Sequence, residues 1–460
     1  MRNLNTTIVA ISTPPGKGGV AVIRLSGDDA FAIADRVFVP RFGTVPLSQR
    51  RARESVFGDI LYDGERIDDG LAVRFVAPNS FTGEDTVEVS CHGGVLVTRS
   101  VLEAFLSQGA VMADRGEFTR RAFINGKITL TDAEAIGDLL EAKSLSAVRL
   151  ASGTSRDKLT KALDEIRYEL ISLMSSIYAR IDYPDEDLGE FTDNESLHIL
   201  ESVREKVERL LRTYKTGRAI RDGVRTVIVG KPNVGKSSLY NAILGEDYAI
   251  VTDIEGTTRD VLERTAPFGK VTLSLLDTAG LRETDDPVEK IGVSRSRERM
   301  GEAELLLAIF DGSRPLDKED YELIEMIKTL TCPTICIVNK SDMQTVVDIN
   351  DLSSHFTHLL TLSAKEGDVD ALRALVESLF LSEELVIGED AILSSSRQVG
   401  ALLGVRGFLD TAIAAYRDGF YADCASSDVE LAIGALGEVD GKRVSDEVVA
   451  DIFAKFCVGK

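Results

Sequence analysis

Residues 230–237 read GKPNVGKS, and this stretch decides the fold of the middle of the chain. The run RTVIVG (225–230) that leads into it has the short apolar pattern of a buried strand, and SSLYNAIL (237–244) continues with helical spacing. Strand, glycine-bounded loop, Lys-Ser and helix in that order is the layout of a phosphate-binding loop. Gly230 and Gly235 let the backbone wrap a polyphosphate with its N–H groups, Lys236 reaches the β- and γ-phosphates, and the Ser237 hydroxyl is placed to bind Mg²⁺. Asn233, Val234 and Ser238 complete the set expected to touch the nucleotide.

Further segments follow in a fixed order. TDIEGTTRD (252–260) sits where a first switch segment belongs, so Thr252, Asp253, Ile254, Glu255, Gly256, Thr257 and Thr258 are candidate nucleotide contacts, with a threonine to bind Mg²⁺ and sense the γ-phosphate. LSLLDTAG (273–280) is an apolar strand ending in D-x-x-G: Asp277 would hold Mg²⁺ through water, Gly280 would turn its N–H to the γ-phosphate, and Thr278 and Ala279 lie between them. TICIVNKSD (334–342) ends in N-K-x-D, bringing Asn339, Lys340 and Asp342. A carboxylate at Asp342 accepts from the N1–H and exocyclic amine of guanine; adenine offers neither, so GTP is selected over ATP. Ser363, Ala364 and Lys365 form the last base-contacting loop. The position after the D-x-x-G glycine is Leu281, where small signalling GTPases carry a water-orienting glutamine. Either GTP is hydrolysed very slowly or another group places the water, for which LRETDDPVEKIG (281–292) offers Glu283, Asp285, Asp286 and Glu289, none preferred on residue type. No arginine finger stands out, and Arg259 near the first switch reads as an ion-pair partner.

Around this centre the chain has 460 residues, 44% apolar and 28% charged, an ordinary globular composition with room for two to four domains. The net charge of −22 argues against an extended nucleic-acid surface, though it leaves open a local patch of Arg115, Arg120, Arg121 and Lys127. Five cysteines, an odd number without C-x-x-C, fit a reducing compartment. His355 and His358 have no further ligand nearby and read as ordinary residues. No apolar run is read as long enough to span a bilayer, and the first residues lack a signal-peptide layout, so the expected location is the cytoplasm.

Short β-type runs fill the first stretch (TIVAI, GVAVIRL, GLAVRFV, TVEVS), with helical segments DDAFAIADRVF and GGVLVTRSVLEAFLSQG between them, so an α+β domain is expected there. Helical spacing takes over in TDAEAIGDLLEAKSLSAVRLAS, read as starting at Thr131 or Asp132, then in RDKLTKALDEIRYELISLMSSIYARIDY and ESLHILESVREKVERLLRTYKTG. Strands and helices alternate from about residue 221 to 380, and helices return from about 390, through RQVGALLGVRGFLDTAIAAYR to SDEVVADIFAKF. The expected fold is multidomain: an α+β domain (1–117), a helical domain in two parts (118–217 and 382–460), and between them a P-loop G domain (218–381) with a mostly parallel, doubly wound sheet. Insertion of the G domain into one helical domain is the economical reading; two separate helical modules are the alternative.

Four further stretches carry a resemblance. TPPGKGGVAVIRLSG (13–27), PNSFTGEDTVEVSCHGG (78–94), GEFTRRAFINGKITLTDAEAI (116–136) and FAKFCVGK (453–460), together with the GTPase set, resemble the hallmarks of the tRNA uridine carboxymethylaminomethyl modification GTPases, called MnmE or TrmE, over essentially the whole chain. The usual form of the last motif is F-C-I-G-K, and here it reads FCVGK. The resemblance implies a homodimer whose first domain binds 5-formyl-tetrahydrofolate or a related folate. It also implies a flavin-dependent partner of the MnmG or GidA type and, with that partner, modification of carbon 5 of a tRNA wobble uridine. It implies GTP hydrolysis stimulated by K⁺ as G domains meet across their nucleotide faces. Residue by residue, the K⁺ ligands fall on Asn233, Thr252, Ile254 and Thr257, the Mg²⁺ ligands on Ser237 and Thr258, and the catalytic glutamate on Glu289. The folate residues fall on Arg24, Glu88, Lys127 and Lys460. Cys457 is either a reactive thiol or part of a segment packed through Phe456. The competing functional reading is a GTPase switch that assists ribosome assembly without modification chemistry, for which a basic RNA-binding domain after the G domain would be expected.

Overall fold

The computed structural model describes residues 6–182, 191–245, 263–276, 300–418, 422–441, 449, 452–454 and 456–459, and the chain divides into two units, residues 1–137 with 437–460 and residues 138–436. In the first unit a period-two burial pattern builds a sheet of seven described strands: β1 (Ile8–Ile11), β2 (Val20–Ser26), β3 (Phe38–Pro40), β4 (Ser55–Tyr62), β5 (Glu65–Phe75), β6 (Thr86–His92) and β7 (Val111–Met112), in the spatial order β3-β4-β5-β6-β2-β1-β7. All neighbours are antiparallel except β1 and β7. Ile23, Leu25, Val56, Ile60, Val87 and Val89 form one core with Ile33 and Val37 of α1 (Ala30–Val37) and Val101 and Phe105 of α2 (Val95–Ser107). Ile8, Ala10 and Ala113 pack instead with Phe118 of α3 (Glu117–Ile124), as alternation along β1 requires.

The long helical stretch read from Thr131 is two helices. α4 (Leu130–Glu141) starts earlier, where Thr129 and Asp132 exchange backbone-to-side-chain hydrogen bonds of 2.8 and 3.1 Å, and α5 (Leu145–Ala151) starts afresh on Ser144, whose hydroxyl accepts from Ala147 N–H at 3.1 Å. Leu130, Ala133, Val449, Phe453 and Phe456 form a small apolar core within the first unit.

In the second unit, α6 (Gly153–Asp182) and α7 (Asp193–Arg221) are long; Thr192 and Glu195 form a capping box at the start of α7. α7 continues past Gly217, which the sequence pattern made its end. A side chain at 217 would overlap the Leu393 carbonyl, so glycine there serves close packing. α12 (Ser396–Arg417) packs along α7 through Arg406–Glu208 (3.1 Å), Arg417–Glu201 (2.6 Å) and Arg204–Asp410.

Between these helices in sequence lies a sheet of six described strands, β8 (Val224–Val229), β9 (Glu263–Phe268), β10 (Val271–Leu276), β11 (Leu305–Asp311), β12 (Thr334–Asn339) and β13 (His358–Thr361), in the order β13-β12-β11-β8-β10-β9 and parallel except for β9. Its inner strands β8, β10, β11 and β12 are buried on both faces. Ile228, Leu307, Ile309 and Ile337 pack with Leu239 and Ile243 of α8 (Lys236–Leu244) and with Leu372 and Val376 of a later helix. Val227, Leu306, Phe310 and Val338 pack on the opposite face with Ile324 and Ile327 of α9 (Lys318–Ile327) and Leu352 of α10 (Ile349–His355). The later helix is α11 (Asp370–Phe380); α12 (Ser396–Arg417) and α13 (Ala422–Val439) complete the order.

α12 amends the reading that no stretch could span a bilayer: its 22 residues contain a window of mean hydropathy 1.3, enough by length and composition. Its charged residues Arg406, Asp410 and Arg417 nevertheless pair with α7, which is how a helix of a packed bundle uses its polar side.

Candidate nucleotide site and a second polar cluster

The parallel register places the motifs at one end of the second sheet. β8 runs directly into the glycine loop, which takes left-handed backbone at Asn233 (φ 63°) and Gly235 (φ 103°) before α8 begins at Lys236. A side chain at Gly235 would overlap the Asn339 amide, and one at Gly230 would press on the Ile309 carbonyl, so both glycines are required by close approach. Lys236 Nζ donates to the carbonyls of Gly230 (2.9 Å) and Lys231 (2.7 Å), folding the lysine over the loop, and burial lowers its pKa. Asn233, Ser237 and Ser238 are exposed, while Val234 is buried and anchors the loop in the core.

Asn339 ends β12 and joins three of the sequence motifs. Its Nδ2 donates to Val234 O of the glycine loop at 2.7 Å, and its Oδ1 accepts from Ala364 N–H at 2.9 Å. Ser363 Oγ donates to Asp342 Oδ1 at 2.8 Å, so the N-K-x-D and Ser-Ala-Lys segments meet a second time. Ser363 and Ala364 are buried, whereas Asp342 and Lys365 are exposed. β10 ends at Leu276, just before the D-x-x-G segment. Thr252 to Thr258, Arg259, Asp277 to Gly280, Leu281, Glu283, Asp285, Asp286 and Glu289 lie outside the described residues.

In the first unit, Arg24 of β2 and Glu88 of β6 face one another in register, with Nε and Nη2 at 2.8 and 2.7 Å from Oε1. The Arg24 guanidinium lies 5.8 Å from the Phe81 ring centre and 5.6 Å from that of Phe118. Lys127 Nζ donates to Pro78 O at 2.9 Å and Asn125 Nδ2 to Thr82 O at 2.7 Å, so the segments PNSFTGED and FINGK lie side by side. Arg121 is not a surface cation. It is 1% exposed and held by Glu84 (3.1 Å) and Glu117 (2.9 Å), while Ser26 Oγ donates to Glu84 at 2.7 Å. Arg121, named in the sequence as part of a possible basic patch, is thus withdrawn from that patch, whereas Phe81, Phe118 and Glu84 were not singled out in the sequence although all three fall inside the quoted stretches.

The FCVGK segment docks in this same unit. Gly116 N–H donates to Cys457 O at 3.3 Å, Val458 bridges to Arg115, and Ser12 Oγ donates to Gly459 O at 3.1 Å. Gly459 is left-handed (φ 99°), and a side chain there would overlap the Ile11 carbonyl. Phe456 is buried against Phe453 with ring centres 5.7 Å apart, while the Cys457 thiol is exposed. Lys460 lies outside the described residues. Elsewhere on the unit, Asp68 Oδ1 is 2.7 Å from the His92 ring and Oδ2 accepts the His92 N–H at 2.8 Å; the neighbouring Asp69 is already paired with Arg41 and Arg66.

Comparison with known proteins gives a consistent result. The family model described as "GTP-binding protein TrmE N-terminus" matches residues 7–127, and that described as "MnmE helical domain" matches residues 130–457. The tRNA modification GTPase MnmE of Thermotoga sp. (strain RQ2) is 40% identical over 99% of this chain and 100% of its own length. Its namesake in Thermoanaerobacter sp. (strain X514) is 37% identical over 99% of both chains, and that of Lacticaseibacillus paracasei is 39% identical over 99% of this chain and 98% of its own.

Proposed function

The chain belongs to the MnmE family of tRNA modification GTPases and hydrolyses GTP in tRNA modification, and from that premise we propose that its hydrolysis depends on K⁺ and serves a folate-dependent step at the wobble uridine. The observation that carries the reading is Asn339, whose two buried hydrogen bonds tie the glycine loop, N-K-x-D and Ser-Ala-Lys into one site. Within that site Asp342 reads the guanine edge, Lys236 meets the phosphates, and Ser237 with Thr258 would hold Mg²⁺. The left-handed Asn233, exposed on the loop, fits a cation ligand acting with Thr252, Ile254 and Thr257. K⁺ held there would supply positive charge near the phosphates, where other GTPases use an arginine. Glu289 holds the attacking water, the task that Leu281 cannot perform. A carboxylate close to the γ-phosphate is repelled by it, so Glu289 holds that water through a bridging water rather than by approaching the phosphate directly.

Arg24, Glu88, Lys127 and Lys460 form the folate site. Glu88 offers a carboxylate to the N–H edge of a pterin, Phe81 offers a half-exposed ring beside it, and the cations take the folate's carboxylates. The seating of Gly459 beside Ile11 and Ser12, next to the strand that carries Arg24, supports a role for Lys460 here. We further assign the chain a homodimeric state, a flavin-dependent MnmG-type partner, and a G domain (218–381) inserted between helical parts 118–217 and 382–460, with residues 1–117 preceding them; α7 and α12, which flank the second sheet in sequence and pack together, support the insertion. The Glu289→Ala variant tests the catalytic assignment: it should keep GTP affinity within about threefold and lose about 100-fold or more in kcat. Unchanged turnover would move the role to another carboxylate of 283–286.

A further inference from the structure

We infer that Asp311 is a positioning residue for the guanine base, acting through Lys340. The inference rests on the nucleotide-site reading above and assigns a role to a residue outside all of its motifs. Asp311 ends β11 and lies in direct register with Asn339, the last residue of the parallel neighbour β12. The two strand ends are drawn together by Gly312 N–H, which donates to Asn339 O at 2.9 Å, and a side chain at Gly312 would crowd that same carbonyl. Lys340 therefore leaves β12 beside a carboxylate on the adjacent strand. Its Nζ donates to Asp311 Oδ2 at 2.7 Å.

The carboxylate is itself fixed. Ser313 N–H and Ser313 Oγ donate to Asp311 Oδ1 at 2.9 and 2.6 Å, so each carboxylate oxygen has a defined partner. The side chain is 11% exposed, and although burial raises its pKa, the bonds from Lys340 and Ser313 outweigh that and leave it lowered. Lys340 takes left-handed backbone (φ 68°), an uncommon conformation for a residue with a Cβ that needs surrounding contacts to hold it. Pinned at its backbone by strand β12 and at its tip by Asp311, the lysine has its four-carbon stem stretched between two strand ends. It lies two residues before Asp342, whose Oδ1 is occupied by Ser363 and whose Oδ2 remains for the base. A base held edge-on by Asp342 needs an apolar surface against its face. A free lysine would have to lose rotamer freedom to provide one, and Asp311 has already imposed that order.

A role in capping the 311–313 turn alone would give the same hydrogen bonds, so the test is a double-mutant cycle read on affinity. Binding of the fluorescent nucleotide mant-GDP is titrated for wild type, Asp311→Asn, Lys340→Met and the double variant, with thermal melting on each. Asp311→Asn should weaken mant-GDP about tenfold, and the double variant should bind no more weakly than Lys340→Met alone. If Asp311→Asn costs the same in the Lys340→Met background as in wild type, or costs nothing in wild type, the inference is overturned. Should Asp311→Asn fail to fold, Ser313→Ala takes its place: it frees the carboxylate without removing it and should weaken binding about threefold, again only when Lys340 is present. Loss that persists without Lys340 overturns the inference here too. An Asp342→Asn control separates the two levels. It should shift preference from guanine toward xanthine nucleotides; if it does not, the base-reading assignment itself fails, independently of Asp311.

Discussion

Replacing Asn339 by alanine removes a side chain that touches both the glycine loop and the Ser-Ala-Lys loop. The change deletes the 2.7 Å bond to Val234 O and the 2.9 Å bond from Ala364 N–H at a residue that is 3% exposed. Each backbone group left without a partner costs about 1–3 kcal/mol, and water entering the space of the lost amide recovers part of this, so a total of about 2–4 kcal/mol is expected. Because both partners belong to loops assigned above to the proposed nucleotide site, part of that cost should appear as affinity, and about 2 kcal/mol of it corresponds to a roughly 30-fold higher Kd. The assay is titration of mant-GDP into wild type and Asn339→Ala, with melting followed by circular dichroism. Asn339→Asp is the informative companion: it is nearly isosteric and can still accept from Ala364 N–H, but it sets a carboxylate oxygen against Val234 O. It should bind at least as poorly as the alanine variant. A Kd within threefold of wild type for Asn339→Ala, with an unchanged melting temperature, would refute the idea that this side chain unites the site.

Other expectations follow from the first unit. Folate should co-purify with the wild-type protein and be lost from Arg24→Ala, measured by absorbance and mass spectrometry of the released ligand; full retention in the variant would remove Arg24 from the folate site. His92 and Asp68 give a pH signature: the hydrogen bond and charge of Asp68 raise the His92 pKa, and although burial raises the Asp68 pKa, the His92 backbone and ring bonds outweigh it and leave it lowered. A raised imidazole pKa stabilises the fold fully below the unfolded value of about 6.5 and loses that stabilisation as pH rises through the folded value; the lowered carboxylate loses its share only in acid, below about 4. The melting-temperature difference between wild type and His92→Asn should therefore be largest between about pH 4.5 and 6 and shrink toward pH 8. A difference that is constant with pH would mean the pair is not ionised.

The sequence made the second sheet legible because its chemistry and its hydrophobic pattern coincide: a buried strand must run into each loop that carries a motif, and β8, β10 and β12 do so. Features set by distant parts of the chain were hidden. β4 contains Gly58, which reads as a strand breaker, yet the glycine is needed because Phe38 and Val39 of the neighbouring strand lie over it. Gly217 reads as a helix stop, and only the Leu393 carbonyl, far along the chain, explains why α7 passes through it. Arg121 looks like a surface cation until Glu84, 37 residues earlier, is brought against it. Asp311 carries no motif at all, and its link to Lys340 exists only because β11 and β12 pair in parallel register.

The K⁺ dependence of hydrolysis tests the central claim most directly. GTP turnover should be measured at equal ionic strength in KCl and in NaCl, for wild type and for Asn233→Ala. The wild-type rate should be higher in KCl by on the order of tenfold or more, as expected when a fixed charge at the phosphates is supplied or withheld, and Asn233→Ala should abolish the difference. Equal wild-type rates in the two salts would contradict the account.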